Sequence, residues 1–185
     1  MAALEDTAPA TRVDTQLWLP GEALNCYEGD PRLRSWLLTP GLLTQRMRDT
    51  CGERFRMNIL GERDAQGDHL REIELCCDGV TWVWAQTRVP AATLAAEPWL
   101  ARIGQTALGE ALAAHGAVRR PQFDYARLYD DVDVVRAALA RRALPPQPLW
   151  VRRSVFDFAT HSPPLALTLR EVFLPDVGRL DPAAA

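Results

Sequence analysis

Two segments of this chain alternate between apolar and polar residues, and each carries one charged residue in its apolar row. In the segment 165–173, the residues Leu165, Leu167, Leu169 and Phe173 share one strand face, and Glu171 falls among them. Successive side chains of a β-strand point to opposite faces. The pattern therefore predicts a strand whose carboxylate points toward the core.

The segment 71–77 repeats this pattern with the opposite charge. Arg71 shares its face with Ile73, Leu75 and Cys77. A buried charge without a partner is costly, so both charges need a partner inside the fold. The alternation leaves two interpretations equally open: a structural ion pair, with each other or with other partners, or the two poles of a polar ligand site.

Asp78-Gly79 lies between two strand-like segments, 70–77 and 81–89, and is a strong hairpin signal. Helical segments and strands do not alternate in a β-α-β order along the chain. This predicts an α+β fold with a single, mostly antiparallel sheet. Residues 61–67 are polar and turn-like. The other predicted strands begin at Phe55 and Phe123 or cover 149–158 and 165–174, and the predicted helices are 32–38, 42–50, 92–102, 106–115 and 131–143.

The length of 185 residues is enough for one well-cored domain, which we expect to span residues 1–185. Residues 1–30 are predicted to be irregular and residues 176–185 to be a loose tail. Residues 130–147 are predicted to be a helical insertion on the surface. Trp82 and Trp84 are predicted to share one face of their strand.

Composition excludes several classes of protein. All 21 basic residues are arginine, which excludes a lysine Schiff base and a standard P-loop. The net charge of −3 gives no general attraction to nucleic acid or to anionic membranes. The sequence shows neither a membrane-spanning apolar run nor a signal peptide, so we expect a cytoplasmic protein.

The cysteines and histidines do not have the spacing of a metal site. No pair of cysteines forms a C-x-x-C motif, and the histidines are scattered. We therefore predict no metal and interpret the cysteines as reduced packing residues. The residues concerned are Cys26, Cys51, Cys76, Cys77, His69, His115 and His161.

Several motifs, in order along the chain, resemble those of the chorismate pyruvate-lyase family. They cover roughly residues 33–176, and their order makes the resemblance specific although each motif alone is weak. The motifs are Trp36-Leu-Leu, Leu42-Leu-Thr-Gln-Arg46, the hairpin 70–90, Ile103-Gly-Gln-Thr-Ala-Leu-Gly109, Leu149-Trp-Val-Arg-Arg-Ser154 and Leu169-Arg-Glu-Val-Phe-Leu-Pro175.

The resemblance implies an enzyme that converts chorismate to 4-hydroxybenzoate and pyruvate, the first committed step of bacterial ubiquinone synthesis. It implies no cofactor, a monomer, tight product binding with product inhibition, and a ligand held internally under helical flaps, here residues 33–50 and 92–115. No nucleic-acid or membrane partner is expected. The alternatives are a free-standing sensing domain for aromatic carboxylates, as in regulators of the same fold, and a catalytically inactive homologue.

The resemblance also implies the roles of four residues. Arg71 corresponds to the arginine that binds the ring carboxylate, and Glu171 to the carboxylate at the 4-hydroxyl end. Leu108 corresponds to a main-chain ligand contact. Leu43 stands where a family member has methionine, and a main-chain contact there would survive the change of side chain. Whether Glu171 is an acid or base or only positions the hydroxyl stays open.

The sequence leaves open which group binds the enolpyruvyl carboxylate. Family members often carry arginine where Gln86 stands, and Arg88 lies two residues further on the same strand face. Arg152 shares a face with Trp150 and Phe156 and is a further candidate, although a structural or surface role is the simpler interpretation.

Overall fold

One antiparallel sheet organises the protein. The computed structural model describes residues 18–27, 29–116, 118–119, 123–158 and 160–180. Within them the 8-stranded sheet has the order β1-β6-β7-β8-β4-β3-β2, with β5 paired to β7. This confirms the predicted α+β fold. The strands are β1 (Leu19–Pro20), β2 (Phe55–Ala65), β3 (Asp68–Cys77), β4 (Val80–Pro90), β5 (Val118–Arg119), β6 (Phe123–Leu128), β7 (Leu149–Phe158) and β8 (Leu165–Phe173).

Short helices and 3-10 turns connect the strands. Helix α1 begins with Pro31, and the Asp30 side chain caps it by accepting a hydrogen bond from the backbone N–H of Arg32 at 2.9 Å. No helix in the described ranges is long and apolar enough to cross a lipid bilayer. The α-helices are α1 (Pro31–Leu37), α2 (Leu43–Cys51), α3 (Ala91–Ala96), α4 (Leu108–His115) and α5 (Asp133–Arg141), and the 3-10 helices are Gly21–Cys26, Gly52–Arg54 and Pro98–Arg102.

Two hairpins join β2 to β3 and β3 to β4, and the turn of each consists of two residues with positive φ. Asp78 and Gly79 have φ values of 54° and 73°, as the sequence predicted for a tight hairpin. Gln66 and Gly67 form the other turn, with φ values of 53° and 82°. The predicted turn-like segment 61–67 is therefore wrong for most of its length, because β2 continues to Ala65.

Helix α5 covers the face of the sheet opposite to the other helices. Its buried residues Val134, Val135 and Leu139 belong to one core cluster with Trp84 and Val172. The surface position predicted for 130–147 is wrong for α5, because this helix shields an apolar sheet face that would otherwise meet water. That the segment is an insertion stays a prediction. We refer to the sheet face turned away from α5 as the cavity face.

A β-bulge in β4 separates the two tryptophans that were predicted to share a face. The register pairs Thr81 with Cys76 and Val83 with Leu75, which leaves Trp82 as an extra residue. Trp82 consequently packs in the cluster on the cavity face. Trp84 packs under α5 on the other face, so the prediction of a shared face is wrong.

Two of the four cysteines are bonded, contrary to the prediction of reduced packing residues. Cys51 at the end of α2 and Cys77 at the end of β3 form a disulfide, with their Cα atoms 5.7 Å apart. The fold brings them together across 26 residues of sequence, which spacing alone does not reveal. Cys76 is a free thiol whose burial raises its pKa, and the Cys26 side chain lies outside the described part of the chain.

The chain ends are better packed than the sequence predicted. Leu24, in the segment expected to be irregular, is buried in a 3-10 helix. Val177 is fully buried, and Asp176 forms an ion pair with Arg142 at 2.9 Å. The predicted loose tail is therefore wrong for residues 176–180, while residues 1–17 and 181–185 lie outside the described ranges.

Candidate active site

A cavity lies between the cavity face of the sheet and the first turns of α2 and α4. It encloses about 550 Å³ of space not filled by atoms, counting the open space at its mouth. The sheet contributes mostly apolar side chains together with Glu171 and Arg152, and the helices contribute Leu43, Leu108 and Glu110.

Glu171 and Arg152 form a buried, two-pronged ion pair in the wall of this cavity. They are register partners on β8 and β7. Arg152 donates from Nε to Glu171 Oε2 at 2.6 Å and from Nη2 to Oε1 at 3.0 Å. The two residues are 1% and 6% exposed, so both charges are desolvated and each depends on the other.

Arg152 also contacts the segment that leads into α2. Its Nη1 donates to the carbonyl oxygen of Thr39 at 3.1 Å and lies 3.5 Å from that of Leu37. Its guanidinium carbon lies 4.2 Å from the ring centre of Phe123, which is a cation–π contact. The sequence had favoured a structural or surface role for Arg152, but the structure places it in the cavity wall.

Arg71 is 3% exposed and has partners other than Glu171. Its Nε donates to Glu62 Oε1 at 3.1 Å, and its Nη2 donates to the carbonyl oxygens of Gly104 and Thr106 at 2.8 and 3.1 Å. Its Nη1 is buried and has no hydrogen-bond partner in the part of the chain that the structure describes. Burial lowers the pKa of Arg71, and the Glu62 carboxylate opposes this effect. An unmet donor of this kind would be satisfied by a bound acceptor.

Arg71 and Glu171 do not contact each other. Their partners in β4 are Thr87 and Ala85, so two strand spacings and one step of two residues separate them. Sheet geometry puts their Cα atoms roughly 12 Å apart. Arg71 lies beside the cavity lining, which includes its register neighbour Thr87 and, from the loop that it binds, Ala107.

Leu43 and Leu108 are the first residues of α2 and α4, and both are buried in the cavity wall. The starts of the two helices lie close together there. A Cβ atom on Gly109 would be only 2.7 Å from Cδ2 of Leu42, the residue before α2. Arg48 of α2 and Glu110 of α4 add an ion pair across the same boundary. The residues predicted to form flaps therefore include the helix ends that cover the cavity.

Gln86 and Arg88 are not brought to the cavity. Alternation along β4 places them on the opposite face from Thr87, which lines it. Gln86 donates to Glu72 at 3.1 Å, and Arg88 forms an ion pair with Asp68 with 46% of its side chain exposed. Both were candidates for binding the enolpyruvyl carboxylate, and their strand face rules them out in this structure.

Sequence reasoning missed Thr87 and Glu62. Thr87 could have been found, because it alternates with Ala85 and Val89 on the face of Ile73 and Arg71. Glu62 reaches the cavity face only because the β2 register shifts between Ile59 and Gly61. Within the described residues, His, Cys, Asp and Glu side chains do not form a group of three or more that could hold a metal ion.

Comparison with known proteins gives consistent matches over most of the chain. The family profile described as Chorismate lyase matches residues 13–177. A probable chorismate pyruvate-lyase of Shewanella loihica (strain ATCC BAA-1088 / PV-4) is 30% identical over 185 residues, with 90% of this chain and 96% of that protein covered. The chorismate pyruvate-lyase of Erwinia tasmaniensis is 33% identical over 159 residues, with 77% and 78% covered.

Among solved structures, the PhnF C-terminal domain is 19% identical with a TM-score of 0.48, and 74% of this chain and 89% of that chain are covered. This structural likeness is too weak to carry an argument. The profile match and the curated relatives, in contrast, extend over the strands and helix ends that form the cavity. They show that this chain belongs to the chorismate lyase family.

Proposed function

We propose that this protein is a chorismate pyruvate-lyase that converts chorismate to 4-hydroxybenzoate and pyruvate. Family membership supports the reaction class. The observation that carries the assignment to this site is the buried Arg71 Nη1, which has no acceptor among the described residues. Arg71 is the register partner of Thr87, which lines the cavity together with Glu171. Such a donor suits a ligand carboxylate, and Glu171 suits a hydroxyl.

In this proposal the ligand ring lies over the apolar floor of the cavity, with its carboxylate toward Arg71 and its 4-hydroxyl toward Glu171. The floor includes Ile73, Ala85 and Leu169. Arginine favours planar carboxylates because its N–H groups have a fixed fork geometry. The main-chain contacts proposed for Leu43 and Leu108 would come from the helix ends that cover the ring.

The proposed reaction needs no external oxidant or reductant. The bond between ring carbon C3 and the ether oxygen breaks, and its electrons go to the leaving enolpyruvyl group. The hydrogen on C4 is lost to the methylene carbon, which becomes the methyl group of pyruvate, and the ring becomes aromatic. Either a concerted hydrogen transfer or proton transfer through Glu171 fits this balance, and the enzyme supplies orientation and electrostatic stabilisation.

The enclosed site also supports the proposal that product is held tightly and inhibits the enzyme. Residues of α2 and α4 meet over the cavity, and their separation would expose it. A water-poor cavity strengthens the polar contacts made inside it. We also propose that this reaction is the first committed step of ubiquinone synthesis, because the family resemblance implies that step.

The test is to incubate purified protein with chorismate and to measure the absorbance of 4-hydroxybenzoate. We expect turnover by the wild-type protein and a loss of at least about 100-fold in kcat/KM for Arg71→Ala. Arg63→Ala is the matched control, since Arg63 is an exposed arginine paired with Glu72 in the same hairpin. Binding of 4-hydroxybenzoate without turnover of chorismate would favour a sensing domain. Near-wild-type activity of Arg71→Ala would remove Arg71 from the proposed site.

A further inference from the structure

Arg152 and Arg71 are both buried arginines near the cavity, yet they use their N–H groups differently. Arg152 donates from Nε and Nη2 to Glu171 and from Nη1 to the Thr39 carbonyl, so each of its nitrogens has a protein partner. Arg71 leaves Nη1 without one. The Arg71 nitrogen without a partner suits a ligand, whereas each nitrogen of Arg152 already donates to the protein.

The bonds of Arg152 fix the plane of the Glu171 carboxylate. A carboxylate at the end of a glutamate turns easily about its last torsion, which has a broad energy profile. Two parallel N–H···O bonds to one guanidinium remove that freedom. Each Glu171 oxygen keeps a further lone pair that can accept a hydrogen bond from a ligand hydroxyl.

Arg152 itself is held from two further sides. Its Nη1 binds the Thr39 carbonyl, which lies in the connection between α1 and α2. Its guanidinium carbon lies over the ring of Phe123, 4.2 Å from the ring centre. The orientation of Glu171 is therefore linked through Arg152 to the segment that leads to Leu42 and Leu43 in the cavity wall.

We infer that Arg152 is a positioning residue that orients Glu171 toward the ligand hydroxyl and does not bind the enolpyruvyl carboxylate. This inference rests on the proposed function. It predicts that Arg152 acts on the reaction and on hydroxyl recognition only through Glu171. It also makes the preference for a hydroxylated ring depend on a side chain that need not touch the ring.

Arg152→Lys tests the inference while keeping a positive charge beside Glu171. A lysine cannot provide the two-pronged geometry. We expect kcat to fall about 100-fold with a smaller change in KM, because the Glu171 carboxylate no longer holds the hydroxyl end of the ring in the reactive orientation. Arg153→Lys is the matched control, since Arg153 is the next residue, is paired with Asp124 at 2.8 Å and alternates to the opposite strand face.

Ligand binding separates positioning from general structural support. We expect wild-type protein to bind 4-hydroxybenzoate about 10-fold or more tightly than benzoate, because only the former can donate to Glu171. In Arg152→Lys this preference should largely disappear while benzoate affinity stays within about 3-fold of wild type. An equal loss of affinity for both ligands would indicate a structural role and overturn the inference.

A double-mutant cycle covers the case in which Arg152→Lys does not fold. Arg152→Gln/Glu171→Gln removes both buried charges together and avoids leaving one unpaired. If Arg152 acts through Glu171, the double variant should lose no more kcat/KM than Glu171→Gln alone. A further loss of kcat/KM in the double variant, beyond that of Glu171→Gln, would overturn the inference. An inactive wild-type protein would instead contradict the proposed function, so the two failures are distinguishable.

Discussion

Glu171 and Glu74 are two buried glutamates on opposite faces of the sheet, and each is paired with an arginine through two hydrogen bonds. Arg141 donates to Glu74 at 2.8 and 2.7 Å, much as Arg152 donates to Glu171. Glu74 also accepts from Thr81 Oγ1 at 2.9 Å and from Asn58 Nδ2 at 3.0 Å. These donors, with Arg141 first among them, lower the pKa of Glu74 to about 2.

The difference lies in what remains unsatisfied around each carboxylate. Glu74 accepts four hydrogen bonds and lies on the face that α5 covers. Glu171, within the described chain, accepts from Arg152 and lies in a cavity wall. A buried charge in a strand is therefore not enough to indicate a ligand site. Spare hydrogen-bonding capacity beside open space is the additional requirement.

The strongest test of this comparison replaces each glutamate by glutamine. We expect Glu171→Gln to lose about 10²–10³-fold in kcat/KM, since it removes the charge proposed to meet the ligand. Glu74→Gln should stay within about 3-fold of wild type, because nothing places Glu74 near the cavity. Steady-state assays of both variants check this. A larger loss for Glu74→Gln would break the comparison. If Glu171→Gln loses activity and 4-hydroxybenzoate affinity equally, Glu171 positions the hydroxyl and does not transfer a proton.

The second test concerns stability and pH. The pKa of Glu74 is depressed from 4.5 to about 2 in the folded protein. Its contribution is therefore present above pH 4.5 and is lost as the pH falls from 4.5 toward 2. The shift alone would correspond to roughly 3 kcal/mol, and solvent screening of the half-exposed Arg141 reduces the contribution below that value. Urea titrations should show that Glu74→Gln lowers the free energy of unfolding at pH 7 and flattens its dependence on pH in this acid range. An unchanged slope would show that Glu74 does not carry the acid sensitivity.

The smallest effect is expected on the dissociation rate of 4-hydroxybenzoate, at the contact between α2 and α4 over the cavity. The opposite face of the sheet, in contrast, is covered by α5. The ion pair between Arg48 and Glu110 joins α2 to α4 and is partly exposed. Such pairs contribute about 0.2–1 kcal/mol. Arg48→Glu should therefore increase the dissociation rate of 4-hydroxybenzoate by about 2–5-fold in stopped-flow experiments. The double variant Arg48→Glu/Glu110→Arg should restore the rate. A double variant as fast as the single one would exclude this pair as a link between the helices.

Local pattern predicted much of the cavity face. The alternation around Arg71 and Glu171 gave their strands and their inward direction correctly, and Asp78-Gly79 gave the hairpin. These features depend on residues adjacent in sequence or two apart. The proposed ligand roles of these residues, and those of Leu43 and Leu108, came from the family resemblance and stay predictions.

The partners of the charged groups could not be predicted from the sequence, because they depend on register and on distant contacts. Glu62 meets Arg71 through a register shift in β2. Arg141 reaches Glu74 from a helix 67 residues away in sequence. The disulfide between Cys51 and Cys77 likewise requires α2 to end beside the end of β3. Strand alternation gives the direction of a side chain, but not what approaches it from another element.

The contacts of Arg71 with the loop before α4 have a thermodynamic consequence. One guanidinium contacts Glu62 and the carbonyl oxygens of Gly104 and Thr106, and it carries the unmet donor at Nη1. If an anion at Nη1 favours this position of Arg71, it also favours the loop that Arg71 holds. Linkage is reciprocal, so a change that orders this loop would in turn raise the affinity for the anion. Affinity at this site is thus a joint property of a side chain and a backbone segment about 35 residues away in sequence.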